Sequence, residues 1–386
     1  MLRPVLRQDR PLEVVGSGTP ERAAPGVILA TGRADAERLA ASWDDVPSTS
    51  GGIGGSAWTA AWLSVWGDDH TLAVGQYGTA GSAPQAVVPL VRRRRRPWWL
   101  ETLGVRELAE PTDVRAADHA ALKAVVARLL RSGRALRSKR LPAQSPLPAM
   151  VRELVGGRAV VLARPVAGTP TIALDSSWED PASKMSSRWR GSFRTAQRRA
   201  ERLGVVDVRV EEPTVAEVLP LFDEFVAVES TGWKTSAGTA LAAQPKMQAF
   251  FRRYCLLAAE RGQLRFAFLR IDGRPAAVQL AIEQDGRYSL LKIGFDEEFA
   301  RCSPGNLLML HAVQTAAERG LTSFEFLGIE EAWTELWTRD VRECIELHVY
   351  PMSLWGVLAM GDMATELVGR AVGRGVRAIR SRRRRT

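Results

Sequence analysis

Two Asp-Gly pairs limit most narrowly how this chain can fold, because they separate three strand-like segments in a row. Asp272-Gly273 and Asp285-Gly286 lie between apolar runs, and Asp-Gly is one of the strongest short-range signals for a two-residue β-hairpin. The three segments cover residues 263–271, 275–284 and 287–296. The sequence therefore predicts a three-stranded antiparallel meander in the second half of the chain.

Helical patterns lie on both sides of this meander. Residues 186–204 and 246–262 each end at a glycine, which is typical of a helix C-terminus. After the meander, Ser303-Pro304-Gly305-Asn306 leads into a helix predicted over 307–319, followed by strand candidates at 323–329 and 343–350. This mixture of helices and antiparallel strands indicates the α+β class.

The first half of the chain shows a similar order of helix and strand patterns, with weaker signals. Trp58, Trp62 and Trp66 recur every four residues, which favours a buried helix face over a ligand cage. The run Arg92–Arg96 lies between two strand candidates, so we expect an exposed connection between them rather than a binding patch.

Cysteine spacing and the length of apolar runs argue against a disulfide-rich, zinc-binding, secreted or membrane-spanning protein. Cys255, Cys302 and Cys344 are widely spaced without metal-ligand spacing, so we expect neither a disulfide framework nor a zinc site. The N-terminus lacks the apolar core of a signal peptide, and no apolar run approaches the ~18 residues of a membrane span. We therefore expect a cytoplasmic protein without a bound metal.

The Ser303–Asn306 segment has two interpretations. It is either a plain turn or an anion-binding loop, because the first turn of a helix has unpaired N–H donors and a positive dipole end. Gly305 would let a ligand approach the backbone closely. Its position between a meander and a later strand favours the second interpretation.

In this order of elements the chain resembles GNAT acyltransferases, and more closely the CelD/BcsL-type acetyltransferases, which are related to the Fem peptidyltransferases. The residues that carry the resemblance are SSRWRGSFRTAQRRAERLG, ESTGWKTSAGTALAAQPKMQAFF, KIGFDEEFARCSPGNLL and FEFLG…WTELWT, from about 170 to 345. The resemblance implies tandem GNAT-like domains, each a mostly antiparallel twisted sheet flanked by helices. We expect a degenerate first domain at 1–165, an acyltransferase domain at 166–350 and a basic amphipathic tail at 351–386.

The resemblance also implies a co-substrate site. The pyrophosphate of acetyl-CoA or another acyl-CoA would lie on the backbone of Ser303, Gly305, Asn306 and Leu307, and the strand ending at Ile293-Gly294 would pair with the pantetheine arm. The implied reaction is direct transfer of an acyl group, most simply acetyl, to an amine of a small molecule, sugar or cell-envelope precursor.

Three further regions supply candidate catalytic and substrate-binding residues. Glu229 is the candidate general base or holder of the acceptor ammonium, and Lys234 would pair with it or contact phosphate. Trp233 and Trp333 are candidate walls of the cleft, while Lys292 and Asp296 would face either the cleft or solvent. His311 and His348 are better explained as structural histidines, and Cys302 has no His partner nearby in sequence that would activate it as a nucleophile.

Two basic segments indicate anionic binding partners without identifying them. Arg190, Arg194, Arg198 and Arg202 form one helical stripe. It is either a solvated face or a site for the CoA 3′-phosphate, a carrier phosphopantetheine or tRNA. The tRNA alternative would make the chain a Fem-like aminoacyl-tRNA-dependent transferase, and a non-catalytic tandem scaffold is the third hypothesis. The tail from Pro351 would lie on an anionic membrane surface at the inner face or dock as a helix on the first domain.

Overall fold

The computed structural model describes residues 26–30, 43, 46–51, 53–72, 74–78, 84–104, 106–231 and 240–383. Its helices are α1 (Ser56–Trp66), α2 (His119–Leu130), α3 (Leu147–Val155), α4 (Ser187–Glu201), α5 (Val218–Glu229), α6 (Pro245–Ala259), α7 (Pro304–Glu318) and α8 (Leu354–Arg383). Its strands are β1 (Gly26–Ala30), β2 (His70–Leu72), β3 (Val74–Gly78), β4 (Ala86–Val88), β5 (Leu90–Arg93), β6 (Arg96–Thr102), β7 (Arg115–Ala116), β8 (Ala135–Pro142), β9 (Ala159–Ala173), β10 (Val206–Glu211), β11 (Leu264–Ile271), β12 (Arg274–Gln284), β13 (Arg287–Phe295), β14 (Ser323–Glu325) and β15 (Val341–Pro351). The described strands form a four-stranded sheet, β1-β3-β4-β7, and an eleven-stranded sheet, β10-β11-β12-β13-β14-β9-β15-β8-β6-β5-β2.

The predicted meander is confirmed. β11 pairs antiparallel with β12, and β12 pairs antiparallel with β13. Both turn residues have positive φ in each hairpin, at 48° and 76° for Asp272-Gly273 and at 52° and 71° for Asp285-Gly286. Positive φ at both central positions is the type I′ geometry, whose twist matches that of the flanking strands.

Both halves of the chain contain the same strand–helix–strand crossover. In the second half, β13 and β14 are parallel neighbours joined through α7. In the first half, β6 and β8 are parallel neighbours joined through α2. The other pairings in the large sheet are antiparallel. The fold is therefore the predicted α+β class, with the same crossover in each of two units.

Two long strands join the units. β9 pairs with β14 of the second unit, and β15, which follows the second unit in sequence, pairs with β8 of the first. β9 and β15 also pair with each other along most of their length. The proposed domain boundary at 165/166 falls within β9 and remains a proposal.

The core of the second unit lies on both faces of its sheet. On one face α4 and α7 bury residues such as Phe193 and Leu308. On the other face α5 and α6 pack together with α1 of the first unit, where Trp58 contacts Phe250 edge-on at a centroid distance of 4.9 Å. Trp58 and Trp62 are fully buried, as the helical stripe predicted, whereas Trp66 is half-buried against the same core.

The arginine run at 92–96 connects β5 and β6, as expected, with Arg94-Arg95 as the turn and the other three arginines in the strands. Arg94 and Arg95 are exposed. Arg93 and Arg96 are instead ion-paired, Arg93 with Glu101 at 3.1 Å and Arg96 with Asp362 at 2.9 Å. The run therefore contains two structural cations that sequence reasoning treated as part of an exposed connection.

The start of α7 differs from the predicted one. α7 begins at Pro304 rather than at 307, because proline has a φ suited to the first helical position and loses no needed N–H there. Beyond β15 the chain continues as α8, which packs on β6, β8 and β15. No described helix combines the length and the hydropathy needed to cross a membrane.

Candidate functional site

A gap opens in the large sheet where β13 and β14 diverge. These two strands pair only from Arg287 with Ser323 to Ser289 with Glu325. β14 ends there, whereas β13 continues to Phe295. The last part of β13 therefore extends beyond its parallel neighbour, next to the start of α7.

A cavity of about 330 Å³ lies at this end of β13. A volume of this order fits part of an extended small molecule. The cavity brings together residues that are far apart in sequence, and seven of the candidate site residues line it: Glu229, Ile293, Gly294, Ser303, Gly305, Asn306 and Trp333.

The first turn of α7 forms one wall of the cavity. Ser303 precedes the helix with a φ of 45°, and its side chain makes no capping hydrogen bond. Its carbonyl accepts the N–H groups of Asn306 and Leu307 at 3.0 and 3.3 Å. Pro304 has no N–H, so the Gly305 N–H is the first-turn donor without an acceptor among the described residues. This donor lies at the positive end of the helix dipole. The Leu307 side chain, by contrast, is buried in the core below.

Glu229 forms another part of the cavity wall, at the C-terminal end of α5. Its side chain is buried, and its Oε2 accepts the Leu241 N–H at 2.8 Å. A Cβ on Gly294 would lie 2.7 Å from the Glu229 Cα, so only glycine lets β13 and α5 approach this closely. Lys234 and Trp233, the other candidates near Glu229, lie outside the described residues.

The remaining substrate-binding candidates occupy different places. Trp333 lines the cavity, and its Nε1 donates to the Glu331 carboxylate at 2.7 Å. Lys292 lies outside the lining, with its Nζ 5.1 Å from the centre of the Phe251 ring. Asp296 is also outside the lining and accepts the Glu298 N–H, which caps the short helical turn that follows.

The arginine stripe on α4 is not part of the cavity wall. Arg190 is half-buried and donates to the Met185 carbonyl at 2.7 Å. Arg194, Arg198 and Arg202 are exposed. The structure therefore leaves three of the four arginines facing solvent.

The histidines and Cys302 also lie away from the cavity lining. His311 is on α7, where burial lowers its pKa. His348 is buried in β15, with its Nε2 3.3 Å from the Glu346 carboxylate. Cys302 is buried, and burial raises the pKa of its thiol, which disfavours the thiolate that a nucleophile needs.

Sequence reasoning missed Gln279 in the cavity wall and Glu110, which lies outside the lining. Gln279 on β12 lines the cavity and is almost fully buried; its Nε2 donates to the Met309 sulfur at 3.7 Å, and its Oε1 has no partner in the described chain. Glu110, from the first unit, has a buried Oε2 that likewise lacks a described hydrogen-bond partner. Burial raises the pKa of Glu110, against the opposing effect of Lys292 and Arg140. The sequence did contain a signal for Gln279, since it is a glutamine within the apolar run of β12.

The corresponding crossover in the first unit differs at its helix start. α2 is preceded by Asp118, whose carboxylate accepts the Ala120 N–H at 2.9 Å. This carboxylate uses a first-turn donor and adds a negative charge where a phosphate would bind. A degenerate first unit remains a prediction.

The described residues contain no group of three or more His, Cys, Asp and Glu side chains arranged to hold a metal ion. The cavity instead offers a helix N-terminus, a buried carboxylate and a buried amide. This set can bind an anionic group at one end and a hydrogen-bonding polar group at the other.

Comparison with known proteins agrees with the fold. Residues 187–335 match the sequence profile of a family described as an acetyltransferase (GNAT) domain. No curated protein matches the chain in sequence. The C-terminal domain of a putative lysylphosphatidylglycerol synthetase from Agrobacterium fabrum is similar in structure, with a TM-score of 0.54 and 14% identity over 88% of this chain and 97% of that one.

Two further solved structures are similar over most of their length. FemX has a TM-score of 0.53 and 11% identity, over 85% of this chain and 97% of its own. A conserved protein of unknown function from Bacteroides thetaiotaomicron has a TM-score of 0.52 and 12% identity, over 84% of this chain and 99% of its own. At these identities the similarity establishes the fold, which spans both units.

Proposed function

We propose that this chain is an acyl-CoA-dependent N-acyltransferase, most simply an N-acetyltransferase, of the CelD/BcsL type within the GNAT superfamily. The observation that carries the proposal is the cavity between the end of β13 and the first turn of α7. The match of residues 187–335 to a GNAT domain supports it. The acceptor would be an amine of a small molecule, a sugar or a cell-envelope precursor.

The start of α7 would bind the pyrophosphate of the co-substrate. The Gly305 N–H has no acceptor in the described chain, and a Cβ on Gly305 would meet only Phe295 Cδ1, at 4.0 Å. An anion can therefore reach the backbone there, at the favourable end of the helix dipole. The extended end of β13 at Ile293 and Gly294 would then lie along the pantetheine arm.

Glu229 would act on the acceptor amine. Its carboxylate lies in the cavity wall beside Gly294, close to where the thioester would end. The neutral amine attacks the thioester carbonyl carbon, a C–N bond forms, the C–S bond breaks, and CoA leaves as the thiolate. Glu229 either holds the incoming ammonium or accepts its proton, and both roles require the carboxylate near the nitrogen.

A melting scan tests this proposal. A ligand at 100 times its dissociation constant adds about 2.7 kcal/mol to the free energy of unfolding, so acetyl-CoA, longer acyl-CoAs and free CoA should each give a measurable rise in Tm if they bind. Gly305→Asp should abolish the rise, because its carboxylate would repel the pyrophosphate. An unchanged Tm with every acyl-CoA would refute the proposal.

A pair of glutamate variants tests the role of Glu229. Glu229→Gln should keep the acyl-CoA-dependent rise in Tm but lose acyl transfer to an accepted amine. Glu224→Gln, about one and a half turns away on the same helix and ion-paired with Arg270 at 2.9 Å, is the matched control and should keep both. Equal turnover by the Glu229 variant would remove this residue from the mechanism.

The exposed arginines on α4 favour a second candidate, a Fem-like transferase that uses aminoacyl-tRNA. Arg194 and Arg198 face solvent on one side of the helix, where they can meet a phosphate backbone. Neutralising both should weaken tRNA binding and its salt dependence, whereas Arg209→Ala, an exposed arginine on β10, should not. Binding of acyl-CoA without tRNA would exclude this candidate, and turnover of either donor would exclude the scaffold hypothesis.

A further inference from the structure

α8 presents an unusual surface. The described chain has fourteen exposed large apolar side chains, and half of them lie between residues 352 and 368. Leu354, Val357, Leu358 and Val368 recur at helical spacing on one side of α8, with Val357 and Val368 each 64% exposed. Apolar surface concentrated in this way on one helix marks an interaction site rather than scattered surface residues.

The opposite side of α8 is fixed to the body of the protein. Ala359 and Met363 are buried against β6 and β15. Asp362 accepts the Trp99 Nε1–H at 2.8 Å and pairs with Arg96 at 2.9 Å. Glu366 pairs with the buried Arg137 at 3.2 Å. These contacts fix the rotation of α8 about its own axis, with its apolar side directed away from the sheet.

The charge of the C-terminal part of α8 indicates which partner covers the apolar side of the helix. After Glu366 the sequence contains eight arginines and no acidic residue, and α8 continues as a helix to Arg383. A helix with an apolar side and a strongly basic end is suited to the interface of an anionic bilayer. A second copy of the chain would bring two such arginine clusters into the same interface, where like charges repel.

We propose that the apolar side of α8 binds the surface of an anionic membrane, with Leu354, Val357, Leu358 and Val368 inserted among the lipids and the arginine-rich end at the headgroups. α8 would then orient the whole chain on the bilayer, because it is joined to the sheet through Asp362 and Glu366. This inference is independent of the acyltransferase proposal.

Vesicle co-sedimentation of the full chain tests it, with phosphatidylcholine alone and with added phosphatidylglycerol. The Val357→Ser/Val368→Ser variant removes apolar surface from α8. Leu203→Ser/Val205→Ser is the matched control, since these residues are 54% and 77% exposed elsewhere on the surface. All three proteins should have the same Tm, because none of the four side chains is buried.

We expect the wild type and the control variant to bind phosphatidylglycerol vesicles and to release them as salt rises. The α8 variant should bind about tenfold more weakly for each valine changed. Equal binding to phosphatidylcholine alone, or undiminished binding by the α8 variant, would overturn the proposal. So would light scattering that shows a wild-type dimer dissociated by the α8 substitutions, because a second copy would then cover this side.

Discussion

Gly294→Ala isolates the contact that forms the wall of the candidate site. The added Cβ would lie 2.7 Å from the Glu229 Cα, 3.1 Å from its Cβ and 3.2 Å from its N. Carbon atoms in contact prefer about 3.5–4.0 Å, so the C-terminal end of α5 has to move by about 1 Å. Two of these three neighbours are backbone atoms, and side-chain rotation cannot relieve the clash.

Overpacking of this kind costs about 1–3 kcal/mol. At about 2–4 °C per kcal/mol for a domain of roughly 150–250 residues, the ligand-free Tm should fall by about 2–12 °C. The matched control is Gly305→Ala, whose Cβ meets only Phe295 Cδ1 at 4.0 Å. Alanine is a better helix former than glycine, so this variant should keep or raise the ligand-free Tm.

Thermal unfolding with and without acetyl-CoA measures both effects. Gly294→Ala should lower the ligand-free Tm and reduce the acetyl-CoA-dependent rise, because Glu229 moves with α5. Gly305→Ala should lose the rise alone, because its methyl group occupies the approach to the backbone. A ligand-free Tm of the Gly294 variant within about 1 °C of the wild type would refute the close-contact argument, since even the lowest expected cost exceeds that shift.

Three other predictions concern buried polar groups. Gln279→Leu should leave the free energy of unfolding unchanged or higher, because it removes a buried amide whose Oε1 has no partner in the described chain, and should weaken acyl-CoA binding in calorimetry; unchanged binding would show that Gln279 does not contact the ligand. Burial opposes ionisation of Glu366, but Arg137 and Arg106 lower its pKa to about 2. The contribution of the ionised Glu366 to stability should therefore be lost as pH falls from 4.5 toward 2. Denaturant unfolding of Glu366→Gln should lack that part of the pH dependence. Arg137→Met removes the buried cation that Glu101 and Glu366 share, but Glu101 keeps Arg106 and Glu366 keeps Arg96, so it should cost about 1–3 kcal/mol in denaturant unfolding; no measurable change would contradict a buried network.

Much of the second unit can be predicted from sequence because its signals are local. An Asp-Gly pair needs only its own backbone angles to form a type I′ turn, and both such turns form as predicted. The helix after Ser303–Asn306 also forms as predicted, although it begins at Pro304 rather than at 307. The periodic burial of Trp58 and Trp62 likewise follows from helical spacing within one segment.

What sequence alone could not determine depends on contacts between distant segments. The exchange of β9 and β15 between the two units joins strands that are separated by the whole second unit. The pairing of Arg96 with Asp362 spans 266 residues, and no local pattern distinguishes that arginine from its exposed neighbours. Gln279 looks like an ordinary strand residue until α7 covers it. Tertiary packing decides these features, because the energy of a buried polar group depends on which partner the fold brings within hydrogen-bonding distance.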